Sequence, residues 1–262
     1  MNKIFVENVL TYWIIWSMVY LFGASIYKDL VKYLIEKRYW NPNTDLRKAQ
    51  DLGWNLYTRL LSSIHAIVIV NNALDIIDTE YGQYSNKWIF ALGEITSKGI
   101  ERFNVLTAFM VAYLIVDCSF VLLQKTEKDV QGTVIHHIVG SLGMFFFAFG
   151  NRFHFNGLYF MLTEITTPTL NLSWTILHSK SQVTEFGQGM LMISGAITWL
   201  LFLLVRFLGA IWLYFMIMYN WHILMTYHYW EIFVACTANP VICGLNWYWF
   251  YKLTRIVFKG SV

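Results

Sequence analysis

The sequence contains seven stretches of about twenty predominantly apolar residues, the length at which an α-helix crosses the hydrocarbon core of a bilayer. Inside a bilayer every backbone polar group needs a partner within the protein, so stretches of this kind predict helices and exclude an open sheet. We therefore expect an all-α, polytopic membrane protein with about seven transmembrane helices. The predicted spans are Val6–Ile26, Leu56–Ile77, Phe103–Leu123, Thr133–Gly150, Gly157–Leu177, Met190–Phe207 and Ile232–Tyr251.

The composition agrees with a membrane protein. Hydrophobic residues make up 57% of the 262 residues and charged residues 13%, whereas soluble domains carry about 25% charged residues. The formal net charge of +3 is too small to indicate a nucleic-acid partner. The three cysteines lie in apolar segments and neither they nor the histidines show metal-ligand spacing, so we predict no metal site. Membrane lipids are the expected partners.

The distribution of basic residues predicts an orientation. Thirteen of the 19 Lys and Arg residues lie on the side of the membrane that holds the C-terminus, five lie on the other side, and Arg206 lies within a span. Cytosolic loops carry the excess of Lys and Arg. We therefore expect an integral membrane protein of the endoplasmic reticulum or the mitochondrial inner membrane. Its N-terminus is predicted outside, and its C-terminus on the cytosolic or matrix side.

One loop, Lys28–Tyr57, is predicted to be long and charged. Its first part, Lys28–Tyr39, alternates charged and apolar residues. This pattern is typical of an amphipathic helix on the membrane surface, or of a helical extension of the first span. We predict a first helix with this loop over residues 1–55, and a membrane domain over residues 56–262.

The path of residues 208–231 stays open. Ile211–Met218 could extend the sixth span. Trp221-His222 and Tyr227–Trp230 are aromatic-rich segments, typical of the membrane interface.

Polar and ionisable side chains interrupt the apolar stretches. Each ionisable group costs about 2.5–3.5 kcal/mol at the centre of a membrane helix, so we expect these groups to face a shared interior. The spacing of seven and three residues predicts that His65, Asn72 and Asp75 lie on one helical face. The other members are Tyr113, Asp117, His136, His137, Glu164, Thr167, Asn171 and Arg206.

The histidine pair and Pro168 each carry a local prediction. Adjacent helical residues diverge by about 100°, so one of His136 and His137 should face the interior while the other contacts a neighbouring helix. Pro168 has no N–H, so the carbonyl of Glu164 should lose its helical partner at a kink. A freed carbonyl beside a carboxyl group is a concentrated acceptor site.

Together these residues resemble the TLC domain, the membrane module shared by ceramide synthases, translocon-associated TRAM proteins and several lipid-related proteins. The likeness rests on the order and spacing of several short segments. These are Arg59–Ala66, Asp117, His136-His137, Glu164–Asn171, Arg206 and Leu245–Phe250.

The resemblance implies a helical barrel around a central cavity that accepts an acyl chain. In ceramide synthases a histidine pair is thought to activate an amine for attack on acyl-CoA, which suits the pKa of imidazole. The resemblance implies a general base at His136 or His137, with Glu164 as its orienting partner. The residues expected to bind lipid are His65, Asp117, Thr167, Asn171 and Arg206, the last near a phosphate.

The chain departs from the ceramide synthase pattern at the acidic motif. Those enzymes place a His-Asp pair and a further Asp where this sequence has Thr163-Glu164 and Thr167. The substitution argues against ceramide synthase activity. The chain is more similar to the small TLC-domain-containing proteins linked to membrane phospholipid composition.

Two functions follow from these patterns. The first is a protein that binds or handles lipid in an intramembrane polar cavity. No cofactor is predicted, while acyl-CoA or a bound phospholipid as a ligand and an acyltransferase-like activity stay open. The second is a non-catalytic accessory subunit of a large membrane complex, for example in the mitochondrial inner membrane. The altered acidic motif and the twelve tryptophans, which offer contact surface, favour this alternative.

Overall fold

The computed structural model describes residues 3–36, 46–81, 95–124, 130–150, 153–178, 184–226 and 228–259. Every regular element in these ranges is helical, which confirms the all-α prediction. A 3₁₀ turn at Thr163–Ile165 joins α5 to α6, and a π-helical segment at Phe202–Leu208 joins α7 to α8. The helices are α1 (Lys3–Glu36), α2 (Leu46–Tyr81), α3 (Ser97–Gln124), α4 (Val130–Gly150), α5 (His154–Leu162), α6 (Thr166–His178), α7 (Glu185–Leu201), α8 (Gly209–Tyr219), α9 (Trp221–Leu224) and α10 (Tyr229–Lys259).

Five helical runs in the described part of the chain are long and apolar enough to cross a membrane. They correspond to predicted spans one to four and six, and the sixth continues through the π-helical segment and α8. Ile211–Met218 therefore extends the sixth span. The chain is a polytopic membrane protein. The five runs are Ile4–Tyr33, Leu52–Tyr81, Ser97–Leu123, Val130–Gly150 and Glu185–Tyr219.

The two other predicted spans have a different form. The predicted span Gly157–Leu177 consists of two shorter helices, α5 and α6, because the 3₁₀ turn separates them. Pro168 lies in the first turn of α6, where a missing N–H leaves no helical hydrogen bond unmade. The helix is therefore interrupted just before the proline. The predicted span Ile232–Tyr251 lies within the longer helix α10, which contains Pro240.

The segment between the first two spans is mostly helical. α1 continues without a break, and only residues 37–45 separate it from α2. The prediction of a long loop over Lys28–Tyr57 is therefore wrong, because the charged residues extend the helices beyond the apolar stretches. Lys28–Tyr39 extends the first span as far as α1 is described, and its last three residues lie outside the described ranges. The predicted domain boundary after residue 55 falls within α2 and stays a prediction.

The helices contact one another in a closed ring. Its order is α2, α3, α4, α10, α7 and α6, and α6 packs against α2 again. α5 packs against α2, α3 and α4, whereas α1 packs against α2 and α3. In the most apolar part of α1 only 17% of residues are buried, compared with 50% for α3. α1 is therefore a peripheral helix on the α2–α3 side, and the ring-facing sides of the other helices can meet in one interior.

Two tyrosines pack closely against glycines of neighbouring helices. The Tyr159 hydroxyl on α5 donates a 2.9 Å hydrogen bond to the carbonyl of Val205 in the π-helical segment. A Cβ atom at Gly209, one turn later, would lie 1.5 Å from that hydroxyl oxygen. Tyr57 on α2 fits against Gly23 of α1 in the same way, at 1.7 Å. Because a real Cβ cannot approach so closely, the packing of these helix pairs requires glycine.

Candidate polar site inside the helical ring

His137 on α4 is hydrogen-bonded at both ring nitrogens. Its Nδ1 lies 2.7 Å from the carbonyl oxygen of Thr133, one turn earlier, and its Nε2 lies 2.7 Å from Oδ2 of Asp117 on α3. Tyr20 on α1 donates its hydroxyl to the other oxygen of Asp117. Three helices therefore meet at one largely buried carboxylate.

The partners of His137 determine where its protons are. A carbonyl oxygen only accepts hydrogen bonds, so Nδ1 carries a proton. The Asp117 carboxylate shares a second proton with Nε2. Wherever that shared proton lies, neither nitrogen of His137 has a lone pair free for a ligand. His137 and Asp117 together form a polar unit that links α3 to α4.

His136 has a different environment. Its Nδ1 is buried and has no hydrogen-bond partner among the described residues. The ring packs edge-on against Trp249 of α10, with centroids 5.3 Å apart, and it interacts electrostatically with Arg206. Both rings contact neighbouring helices, and their centroids lie 5.7 Å apart. Which of the two faces the interior therefore stays a prediction. His136 is the member of the pair that has a ring nitrogen without a hydrogen-bond partner among the described residues.

Arg206 is buried in the π-helical segment, a rare helical form that is frequent at functional sites. Its Nε donates to the carbonyl of Thr163 at 3.1 Å, and its Nη1 donates to Oδ1 of Asn246 on α10 at 3.5 Å. Its Nη2 lies 3.6 Å from Oε1 of Glu164, which makes an ion pair. The guanidinium thus connects the 3₁₀ turn between α5 and α6 to α10.

Glu164 is held by Arg206 and by Thr167, whose hydroxyl donates to Oε2 at 2.8 Å. Within the described ranges it makes no hydrogen bond to either histidine, and the contact that we predicted for it is made by Asp117. The backbone acceptor at the bend also differs from the prediction. The carbonyl of Thr163, in the 3₁₀ turn, accepts the hydrogen bond of Arg206.

Asn171 on α6 joins two helices through its whole amide group. Its Oδ1 accepts from Nη1 of Arg59 at 3.1 Å, and its Nδ2 donates to the Arg59 carbonyl at 2.9 Å and to Ser63 Oγ at 3.0 Å. The Arg59 guanidinium lies 4.2 Å above the ring of Trp174. Arg59 therefore links α2 to α6 near the start of the apolar run Leu52–Tyr81. Since the amide of Asn171 is already bonded to protein, its lipid-binding role stays a prediction without a free atom to support it.

His65 is the buried member of the polar stripe predicted on α2. It is 1% exposed, and it stacks on Tyr113 of α3 with ring centroids 3.8 Å apart. Asn72 and Asp75 are exposed, and Asp75 pairs with Arg102 at the start of α3. The expectation that all three face a shared interior is therefore wrong for Asn72 and Asp75. The buried face of α2 instead follows small and branched apolar residues, namely Ala66, Ile69, Val70, Ala73 and Ile76.

The ionisable residues of the predicted site lie close enough to interact. His65 interacts electrostatically with Glu164, Asp117 and His137, and His137 also interacts with Glu164. The Asp117–His137 pair and the Glu164–Arg206 pair therefore lie within electrostatic reach of the same imidazole. Among the residues that the structure describes, no group of three or more His, Cys, Asp and Glu side chains could hold a metal ion.

The sequence analysis did not include two residues of α1 that reach this interior. Tyr20 donates to Asp117, and Trp16 packs against His65 with ring centroids 5.9 Å apart. Both are buried, although most of their helix is exposed. A signal was present, because Tyr12, Trp16 and Tyr20 recur at intervals of four and so form an aromatic stripe along one face.

Fold and site together define a class of protein: a polytopic helical membrane protein whose helices close around a buried, charge-paired polar interior. Comparison with known families narrows the class. The TLC domain model matches residues 48–255, and the chain belongs to the TLC-domain family. The match includes every predicted site residue and leaves out α1. No curated protein matches the chain.

Proposed function

We propose that this protein binds a lipid inside the helical ring and that His136 contacts the polar part of that lipid. Family membership supports lipid handling in general terms. The observation that carries the proposal is the buried, unpartnered Nδ1 of His136 beside the polar interior. A buried polar atom without a partner is costly in hydrocarbon, so a ligand that supplies the missing hydrogen bond is favoured there.

The charges of the interior indicate which part of a lipid fits. Asp117 is paired with His137, and Glu164 is paired with Arg206. A ligand with a net charge would be buried without a counter-charge. Leaving a buried charge unpaired costs about 3–5 kcal/mol. The arrangement therefore favours an uncharged group that hydrogen-bonds to imidazole, such as the ester, amide or hydroxyl of an acyl lipid.

The same geometry limits any acyl-transfer chemistry. A general base needs a nitrogen with a free lone pair within reach of the proton that it accepts. His137 has both nitrogens engaged, so His136 is the histidine suited to take a proton from an attacking hydroxyl or amine. Arg206 lies within electrostatic reach of His136 and could stabilise the oxyanion that forms as a thioester is attacked.

The test compares two histidine variants purified gently from the native membrane. His136→Gln removes the imidazole beside the polar interior. His178→Gln, at the exposed end of α6, is the matched control, because the Nδ1 of His178 contacts only the Trp174 carbonyl of its own helix. Lipids that co-purify with each protein are quantified by mass spectrometry per mole of protein.

We expect a discrete lipid species in the wild-type protein and in His178→Gln, and its loss by about tenfold in His136→Gln, since one hydrogen bond to a buried group is worth about 1.4 kcal/mol. The same lipid complement in all three proteins would argue against the proposal. An acyltransferase would in addition show altered cellular acyl-lipid species in the His136 variant.

A second function is supported by a different observation. Asn171 and His137 have their polar atoms bonded to neighbouring helices, as expected of groups that stabilise a scaffold. A scaffold of this kind could serve as an accessory subunit of a larger membrane assembly. Migration of the native protein with a large complex on a native gel, without a bound lipid, would favour this function over lipid binding.

A further inference from the structure

A second set of buried polar atoms lies where α1, α2 and α3 meet. Trp16, His65 and Tyr113 come from these three helices and are 7%, 1% and 3% exposed. Their rings form one cluster, with centroids 5.1 Å apart for Trp16 and Tyr113 and 3.8 Å apart for His65 and Tyr113. Nε1 of Trp16, Nε2 of His65 and the Tyr113 hydroxyl have no hydrogen-bond partner among the described residues.

It is unusual for three buried polar atoms in one cluster of rings to lack hydrogen-bond partners. Buried polar groups in native proteins are almost always hydrogen-bonded to protein, to ordered water or to a ligand. The bilayer offers no solvent to replace a missing partner. The Tyr113 hydroxyl lies close to the hydroxyls of Ser62 and Tyr20, yet it forms a hydrogen bond of normal geometry to neither.

The chemistry of the three atoms defines the missing group. The indole N–H of Trp16 can only donate, the phenol of Tyr113 can donate or accept, and a neutral imidazole nitrogen of His65 does one or the other. An oxygen atom with two lone pairs satisfies the donors, and a hydroxyl hydrogen satisfies an acceptor. We propose that an uncharged hydroxyl or carbonyl group occupies this α1–α2–α3 oxygen site, with Trp16, His65 and Tyr113 as its hydrogen-bonding partners.

The site gives α1 a specific role. α1 lies outside the part of the chain that matches the TLC domain, yet it supplies both Trp16 here and Tyr20 at the neighbouring Asp117. Most of α1 faces away from the rest of the protein, so its buried aromatic stripe is its main connection to the interior. α1 thus completes a polar site that the ring alone would leave open on the α2–α3 side.

This inference stands apart from the lipid proposal for His136. The oxygen that fills the α1–α2–α3 site can belong to a water molecule or to a lipid hydroxyl or ester. Both sources share the same hydrogen-bonding chemistry. The lipid proposal can fail while this site holds water, and this site can prove empty while a lipid binds at His136.

The experiment uses Tyr113→Phe, which removes the hydroxyl and keeps the ring stack. Its melting temperature is compared with that of the wild type in two states: lipid-stripped protein in detergent, and protein in nanodiscs of phosphatidylcholine. If the hydroxyl has no partner, its removal leaves the protein equally stable or more stable, since a buried unsatisfied group disappears. If an oxygen group is bound, its removal breaks a hydrogen bond, and the melting temperature falls by about 2–8 °C.

Each outcome distinguishes the sources. A lower melting temperature in detergent as well as in nanodiscs assigns the site to water, and a lower value in nanodiscs alone assigns it to lipid. An unchanged or higher value in both states overturns the proposal. Tyr159→Phe is the matched control and should be less stable in both states, because its hydroxyl has a protein partner, the carbonyl of Val205.

A double variant tests whether the atoms share one group. His65→Phe keeps an aromatic ring against Tyr113 and removes the nitrogen. Residues that bind the same group are coupled. The loss in melting temperature of the His65→Phe, Tyr113→Phe double variant should therefore be smaller than the sum of the single losses. Additive losses would show that no common group connects them.

Discussion

Nε2 of His137 lies 2.7 Å from Oδ2 of Asp117, while the carbonyl of Thr133 holds Nδ1 at the same distance. The second histidine of the tandem pair is therefore fixed between two helices. The Nδ1 of the first, His136, has no hydrogen-bond partner among the described residues. The two histidines therefore differ in their hydrogen bonding, and our proposal assigns the lipid contact to His136.

This difference makes a stability prediction. Asp117→Ala removes the hydrogen-bond partner of His137 Nε2 and of the Tyr20 hydroxyl. Because each buried polar group left unsatisfied costs about 1–3 kcal/mol, we expect a loss of that size for each in the free energy of unfolding. Thermal unfolding in detergent measures it. The Asp117→Ala, His137→Ala double variant should lose less than the two single variants together, because it removes the unsatisfied imidazole as well. Strictly additive losses would show that the two groups are not a pair.

The glycine contacts give a prediction with an internal control. Gly209→Ala places a Cβ against the Tyr159 hydroxyl, and overpacking of this kind costs about 1–3 kcal/mol. Gly195→Ala in α7 meets no atom within 4 Å and should be neutral or stabilising by up to about 1 kcal/mol, since alanine favours helix. Melting temperatures of both variants check this. Equal stability of the two would contradict the packing at Gly209.

Several features of the fold could be predicted from the sequence because they depend on local rules. Span positions follow from the length of apolar stretches, and the ends of the helices were missed because charged residues such as those of Lys28–Glu36 prolong a helix into the interface. The break before Pro168 was anticipated from its missing N–H. The distortion lies at Thr163–Ile165, a turn that contains Glu164, the residue whose carbonyl Pro168 cannot satisfy.

The partners within the site could not be predicted in the same way. Helical spacing places His65, Asn72 and Asp75 on neighbouring faces, but it does not indicate which face is buried against other helices. The choice of Asp117 over Glu164 as the partner of His137 depends on the packing of α3 against α4, a long-range relationship. The aromatic stripe of α1 indicates a packed face, but nothing local to α1 shows that Tyr20 on this face approaches Asp117 of α3.

A substitution at Asn171 tests whether this residue stabilises the fold or binds the lipid. Its amide makes three hydrogen bonds to α2, so Asn171→Ala should lower the free energy of unfolding by about 1–3 kcal/mol. Asn72→Ala is the control, because the exposed Asn72 bonds only to Val68 of its own helix. We expect the Asn171 variant to be less stable while the folded fraction keeps its bound lipid. Loss of lipid at unchanged stability would instead assign Asn171 to the ligand.

The Arg206–Glu164 ion pair predicts that the stability lost on removing Arg206 is partly restored when the charge of Glu164 is removed too. Arg206→Leu leaves the buried Glu164 carboxylate without its partner and should cost about 3–5 kcal/mol. Adding Glu164→Gln removes that charge and should restore part of the loss. Arg102→Leu, which breaks the more exposed pair with Asp75, should cost no more than about 1 kcal/mol. Chemical unfolding in detergent compares the three; similar losses for Arg206→Leu and Arg102→Leu would contradict the burial of the Arg206 pair.

The most direct measurement is an electron cryomicroscopy map of the native protein in lipid nanodiscs. We predict non-protein density inside the ring of α2, α3, α4, α10, α7 and α6, within hydrogen-bonding distance of the Nδ1 of His136. A map in which protein side chains fill that space, with each polar group bonded to a neighbouring helix or subunit and no density at His136, would contradict a lipid site in this interior.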